Sequence, residues 1–306
     1  MLTALESVSG PVAIDQLGVV MPHEHTFIDL LLEYRGDGLI NDPELVRDEL
    51  VGYREAGGTT IVDCTSRGLR PQPLLNRRVA AESGVIVIMG TGFYRRPYLD
   101  EDWLASSTAD EVAEVIIRDA TQGIDGTDVR AGVIGEVGCD REITPPEEKS
   151  FRAAARAHHA TGLSITTHAA RWPVGLAQLD VLEQEGVPPE RVIIGHCGLV
   201  PDRGYHRALA ERGAWVQFDT IQPGNPYFLE RDLKSIHALV EAGHADRVLL
   251  SHDVCLVSHM AACGGFGYSY ILREFLGRLE ATGLPAGMVR DFVTRNPAHA
   301  LSGADA

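Results

Sequence analysis

The chain has 306 residues, 44% of them apolar and 23% charged, a globular composition rather than that of a disordered segment or a coiled coil. Its formal charge of −16 repels phosphate backbones and anionic lipid, so no nucleic acid and no membrane surface is expected as a partner. No basic start leads into an apolar core at the N-terminus, no apolar run is long enough to span a bilayer, and a cytoplasmic location is expected.

The first β-branched run, "GVVMPHEH" at 18–25, predicts a strand ending in two histidines. Asp42 followed by Pro43 predicts an N-cap with proline at N1, opening a helix that stops at Gly57. Strands are predicted at 59–64 and 85–92, and Thr108 with Glu111 reads as a capping box for the next helix. A strand at 130–138 is followed by a second capping box, Thr144 with Glu147. Further strands are predicted at 163–169, 191–198, 215–220 and 247–254, separated by the helical segments "LDVLEQEG", "YHRALAERG" and "KSIHALVEAG", each closed by glycine. The last strand runs into "CLVSHMAACGGFGYSYI", which predicts a long irregular loop that shapes a pocket.

Near-continuous apolar strands alternating with amphipathic helices predict parallel strands covered on both faces. Eight such units predict an α/β fold, a (β/α)₈ TIM barrel, as one domain over 1–306. An open doubly wound sheet is the alternative, but no glycine-rich phosphate turn follows the first strand. Cys64, Cys139, Cys197, Cys255 and Cys263 are scattered, with no C-x-x-C pair, and are read mostly as small buried side chains rather than disulfides or a thiolate metal site.

The C-terminal ends of barrel strands are where chemistry collects. His23 and His25 end strand one, Glu136 lies on strand four, His168 and His196 end strands five and six, and Asp253 ends strand eight. Residues i and i+2 share a face of a strand, so both histidines of the first pair can enter the barrel mouth, roughly 6 to 7 Å apart along the strand. Any one of these histidines alone would read as a hydrogen-bonded core residue. Together they predict a metal centre: His23, His25 and Asp253 suit one divalent ion, His168 and His196 a second, and Glu136 can bridge them. His158, His159, His206, His237, His244 and His299 fall in predicted helices and are read as structural or solvated, and His252 should point away from its neighbour Asp253. His259 is read as a hydrogen-bonding loop residue.

The stretches "GPVAIDQLGVVMPHEH", "GTTIVDCTSRG", "GTGFY", "AGVIGEVGCDREITPPEEKSFRAAA", "SITTHA", "IIGHCG", "LLSHDVC" and "NPAHALS" resemble the phosphotriesterase family of the amidohydrolase superfamily over nearly the whole chain. The resemblance implies two divalent metal ions per chain, zinc first and manganese, iron or cobalt as alternatives, on the ligand sets just named. Many members bridge the ions with a carboxylated lysine on strand four. Glu136 stands there instead, which is similar to the glutamate-bridged phosphotriesterase-homology-protein branch. "GTGFY" resembles a lactonase loop and makes Tyr94 a substrate-binding candidate, and Arg95 and Arg96 become candidates for holding an anionic group or a solvated loop pair. Strand seven ends "FDTIQ", without the basic residue that follows this aspartate in many lactonases and phosphotriesterases, so phosphotriesterase activity is not expected to come easily.

The resulting expectation is a binuclear metal-dependent hydrolase of a carboxylic ester, lactone or N-acyl amide, acting on a small molecule. A hydroxide between the ions is the nucleophile, and Asp253 takes its proton. The alternatives are a phosphotriester hydrolase, a mononuclear deaminase, and a metal-containing binding protein without turnover. The resemblance also implies a homodimer.

Overall fold

The computed structural model describes residues 1–303. Eight parallel strands form one sheet in chain order: β1 (Val20–Glu24), β2 (Thr60–Asp63), β3 (Ile86–Thr91), β4 (Val133–Gly138), β5 (Ile165–His168), β6 (Val192–Ile194), β7 (Trp215–Phe218) and β8 (Val248–Leu250). Nearly every strand residue is buried, which explains why the strands read as apolar runs without alternation. The sheet curls until β8 meets β1, and there the seam is held largely by side chains. Ser251 Oγ donates to the His23 carbonyl at 2.8 Å and accepts from the His23 amide at 3.1 Å.

Helices cover the outside, and their starts follow the local sequence. Asp42 accepts from the Glu44 and Leu45 amides at 3.0 and 3.2 Å and opens α1 (Pro43–Glu55). Pro73–Ser83 forms α2, and the Thr108–Glu111 box opens α3 (Ala109–Thr121). The Thr144 amide donates to Glu147 at 2.9 Å at the head of α4 (Pro145–Thr161), which Gly162 ends in a left-handed turn. Three more helices follow β5, β6 and β7: α5 (Gly175–Gln184), α6 (Arg203–Glu211) and α7 (Pro226–Glu241).

The structure adds two hairpins to the predicted elements. One pairs Ala4–Ser7 with Gly10–Ala13 and attaches beside β3 through the Val8 amide and the Val87 carbonyl, 2.9 Å. The other pairs Ile28–Asp29 with Leu39–Ile40 in the loop after β1. The predicted sixth and eighth strands also run too long: pairing ends at Ile194 and Leu250, so His196 and Asp253 lie in the turns beyond, at φ 58° and 55°. His244 likewise falls after α7, not within it. The long segment after β8 is built of short turns (Val257–His259, Ala261–Cys263 and Gly267–Ser269) before a last helical stretch from Ile271. Among the described residues no helix is long and apolar enough to cross a membrane.

Tyr53 of α1 ties the first two strands together. Its hydroxyl lies 3.0 Å from both the Val19 and Thr60 carbonyls, and its ring lies so close over Gly58 that a Cβ there would come within 2.2 Å of it. Gly58→Ala is therefore expected to destabilise the fold by about 1 to 3 kcal/mol through overpacking, measured by urea unfolding. An unchanged midpoint would contradict this packing.

Candidate metal and active site

The six predicted side chains meet at the C-terminal mouth of the barrel. Glu136, 1% exposed, is the centre of the group. Its Oε2 lies 3.2 Å from His168 Nδ1, 3.5 Å from His196 Nε2 and 3.4 Å from His23 Nε2, and its Oε1 lies 3.6 Å from His25 Nε2. Asp253 closes the ring, with Oδ1 3.3 Å from His25 Nε2 and 3.9 Å from His23 Nε2. Beside a third group of His23, His196 and Asp219, two sets among the described residues could each hold an ion, His23 with His25 and Glu136, and Glu136 with His168 and His196. Glu136 is common to both.

The outer partners fix which nitrogen faces inward. His25 Nδ1 lies 2.9 Å from Thr65 Oγ1, and His196 Nδ1 lies 2.9 Å from Asp219 Oδ1. His23 Nδ1 lies 3.2 Å from Asp219 Oδ2, beside Gln217 Nε2 at 2.9 Å. Each contact occupies Nδ1 and leaves Nε2 facing the centre, the arrangement that orients histidine ligands. His23 Nε2 is buried with no hydrogen-bond partner of its own. A buried nitrogen directed at two carboxylates with no bond to either is what a divalent cation between them would satisfy, so the residues fit the metal centre. His168 presents the other nitrogen: its Nδ1 faces Glu136 and lies 2.8 Å from His196 Nε2.

Local sequence places these groups. Gly195 lets β6 close against β5, because a Cβ there would fall 2.3 Å from the Thr167 carbonyl oxygen. His196 then turns back over the barrel, with its amide donating to Asp219. Glu24, between the two histidines, points the other way. Its Oε1 accepts from Ser251 Oγ and the His252 amide, both at 2.8 Å, and its Oε2 accepts from the Val254 amide at 2.9 Å. This clamp holds the turn that presents Asp253. His252 faces outward as expected: its Nδ1 lies 2.8 Å from Glu24 and its Nε2 accepts from the Ile271 amide at 2.9 Å.

Charge is distributed unevenly in the cluster. Burial opposes charge on His23, but Asp219 and Glu136 outweigh it and raise its pKa to about 9. Burial also opposes charge on His196, yet Asp219 holds it well above the usual histidine range. His168 is pushed down, by burial first and then by His196. Against the cost of burial, His23 and the bonds from His168 and His196 hold Glu136 well below the carboxylate range, and His196 and His23 lower Asp219.

A cavity of about 370 Å³ opens above the cluster. Tyr94 lines it, with its hydroxyl 3.2 Å from His168 Nδ1 and its ring nearly perpendicular to that imidazole at 5.0 Å. The structure separates the two arginines that follow. Arg95 reaches the cavity but is ion-paired with Glu33 and with Asp140 at 3.2 Å, whereas Arg96 is exposed and turned to Glu101 at 3.0 Å. His259 accepts from the Cys255 amide at 3.4 Å within its loop. Sequence reasoning gives Asp219 no role of its own; the fold buries it just past the end of β7, where it faces His23 and His196.

Removing the Asp219 carboxylate by Asp219→Asn is expected to weaken metal binding by about 10- to 100-fold while the fold persists, read by metal titration with circular dichroism. An unchanged affinity would contradict the positioning role. Because His23 without metal keeps its proton until about pH 9, metal uptake at neutral pH must displace it, and affinity should rise with pH towards that value. Calorimetry in buffers of different ionisation enthalpy measures the released proton, and zero release at neutral pH would contradict the assignment.

The sequence model of the Phosphotriesterase family matches residues 3–301. The chain is 34% identical to the phosphotriesterase homology protein of Escherichia coli, covering 93% of this chain and 98% of that protein. It is 30% identical to an N-acetyltaurine hydrolase of Dictyostelium discoideum, covering 86% of this chain and 74% of that protein. The crystal structure of a lactonase from Listeria monocytogenes superposes with a TM-score of 0.91 at 26% identity, covering 99% and 100% of the two chains. The chain belongs to the phosphotriesterase family and, with the metal-type cluster at its barrel mouth and its similarity to a named hydrolase and a named lactonase, is a metal-dependent hydrolase.

Proposed function

We propose that this chain cleaves a carbonyl substrate, a carboxylic ester, a lactone or an N-acyl amide, at a centre of two divalent ions, zinc first among them. The observation that carries the reading is Glu136, whose two oxygens face different histidines within 3.2 to 3.6 Å, as a shared ligand requires. In this reading His23, His25 and Asp253 hold one ion, His168 and His196 the other, and Glu136 both. Bound ions polarise a carbonyl and make water acidic enough to attack near neutral pH.

The protein's own groups supply positioning and proton transfer. Asp253 is the partly exposed member of the cluster and lines the cavity, so it can reach an attacking water and then the departing oxygen or nitrogen. The surrounding histidines hold it as a carboxylate, the form that accepts a proton: burial opposes this, and the bond from His25 with the neighbouring imidazoles of His196 and His23 prevails. Tyr94 walls the cavity beside His168 and sets the shape of the group next to the scissile carbonyl. Two features favour the amide end of this range over phosphotriesters: the similarity to N-acetyltaurine hydrolases, and Thr220 after Asp219 where a basic side chain would assist a phosphoryl group.

Metal-loaded protein incubated with lactones, N-acyl amino compounds, aryl esters and phosphotriesters should turn over carbonyl substrates, and chelated protein should not; product masses identify the bond cut. Asp253→Asn should lower kcat by about 10²- to 10⁴-fold. Full turnover in that variant with its metals retained would sink the proton-transfer role.

A further inference from the structure

The wall of the cavity contains a cation that the hydrolytic reading does not use. Two arginines line the space above the cluster, Arg95 and Arg171, and they differ in their surroundings. Arg95 is enclosed: Glu33 and Asp140 take its charge, and its guanidinium lies over the Tyr94 and Tyr98 rings at 5.2 and 5.5 Å. It is a wall. Arg171 sits in the turn after β5, three residues beyond His168, and among the described residues it has neither a carboxylate partner nor a hydrogen bond.

Its backbone points to the same place. Among the described residues six other than glycine adopt positive φ, and three of them line this cavity: His196, Asp253 and Arg171, at 58°, 55° and 68°. Such conformations persist where the surroundings impose them, and two of the three belong to the metal cluster. Beside Arg171, Trp172 also lines the mouth, with the Arg141 guanidinium 4.9 Å from its ring.

Charge balance gives the unpaired guanidinium a consequence. The chain carries −16 overall, yet the cavity wall outside the cluster sets Arg95 and Arg171 against Glu33 and Asp140. Both carboxylates are already engaged by Arg95, which leaves Arg171, exposed at the mouth of the cavity, as a fork of donors on its wall. Carboxylates match such a fork with two oxygens, and a sulfonate offers it three tetrahedral acceptor oxygens as a phosphate does.

We propose that Arg171 determines specificity by receiving an anionic group, carboxylate or sulfonate, that the substrate carries away from its scissile carbonyl. The substrate class is then a small N-acyl amino acid or N-acyl aminosulfonate rather than a neutral amide, ester or lactone. This rests on the hydrolase reading, and the test separates the two. The probes are the methyl-ketone analogues of N-acetyltaurine and N-acetyl-β-alanine, in which CH₂ replaces the amide NH so that nothing is cleaved, together with the neutral carboxamide of the same length.

On the zinc-loaded full chain an anionic analogue should bind at least about tenfold more tightly than the carboxamide. Arg171→Gln should erase that preference, Arg171→Lys should keep part of it, and Arg96→Gln, whose side chain lies outside the cavity, should keep all of it. Whichever anion binds more tightly names the group. A preference that survives Arg171→Gln, or its absence from the unmodified protein, overturns the proposal. Hydrolysis of the parent N-acetyl compounds is followed in parallel. Arg171-dependent binding without turnover keeps the anion site and removes the hydrolase reading, whereas turnover indifferent to the charge of the tail does the reverse.

Discussion

A carboxylate buried on the axis of the barrel governs this structure. Glu136 is 1% exposed, and four imidazoles from three other strand ends approach it within 3.6 Å. An ionised group so deep is tolerable only when opposite charge or strong donors surround it. In the metal-free chain the raised His23 and His196 provide that charge. In the metal-bound chain the ions would do so, displacing protons from the same nitrogens. The cluster therefore has a defined partner in both states, and the arrangement of strand ends follows from keeping all four rings aimed at one residue.

That aim depends on closing the barrel, and one short motif contributes to both tasks. In "HEH" the two histidines turn inward to Glu136 and Asp253, while Glu24 turns outward and binds Ser251, His252 and Val254. Alternation along a strand makes this division automatic. The residue that holds the seam between β8 and β1 thus also sets where Asp253 stands relative to His23 and His25. On the far side, Asp219 does the corresponding work for His196 and His23 from the end of β7.

Much of this was legible in the sequence because it is local. Eight apolar runs, the Asp42–Pro43 start and the Thr108 and Thr144 boxes each carry their reason within a few residues, and all appear in the fold. The metal-type side chains were legible because strand order places them at one end. The turns were not: His196 and Asp253 lie beyond the pairing of their strands in left-handed conformations that their residue types do not announce. Nor were contacts between distant segments, which give Asp219 its two histidines and Glu24 its hold on residues 251–254. Arg95 and Arg96 look alike in sequence, and only the fold puts Glu33 and Asp140 around one and directs the other to Glu101.

The central claim is that a shared carboxylate joins two metal positions into one catalytic centre. Stepwise addition of zinc to metal-free protein, with bound metal and turnover of a reactive ester or N-acyl amide followed together, addresses it most directly. Activity that grows with added zinc and levels off at two ions per chain is the result the account predicts. Full activity at one ion per chain, or in protein stripped of metal, would contradict it.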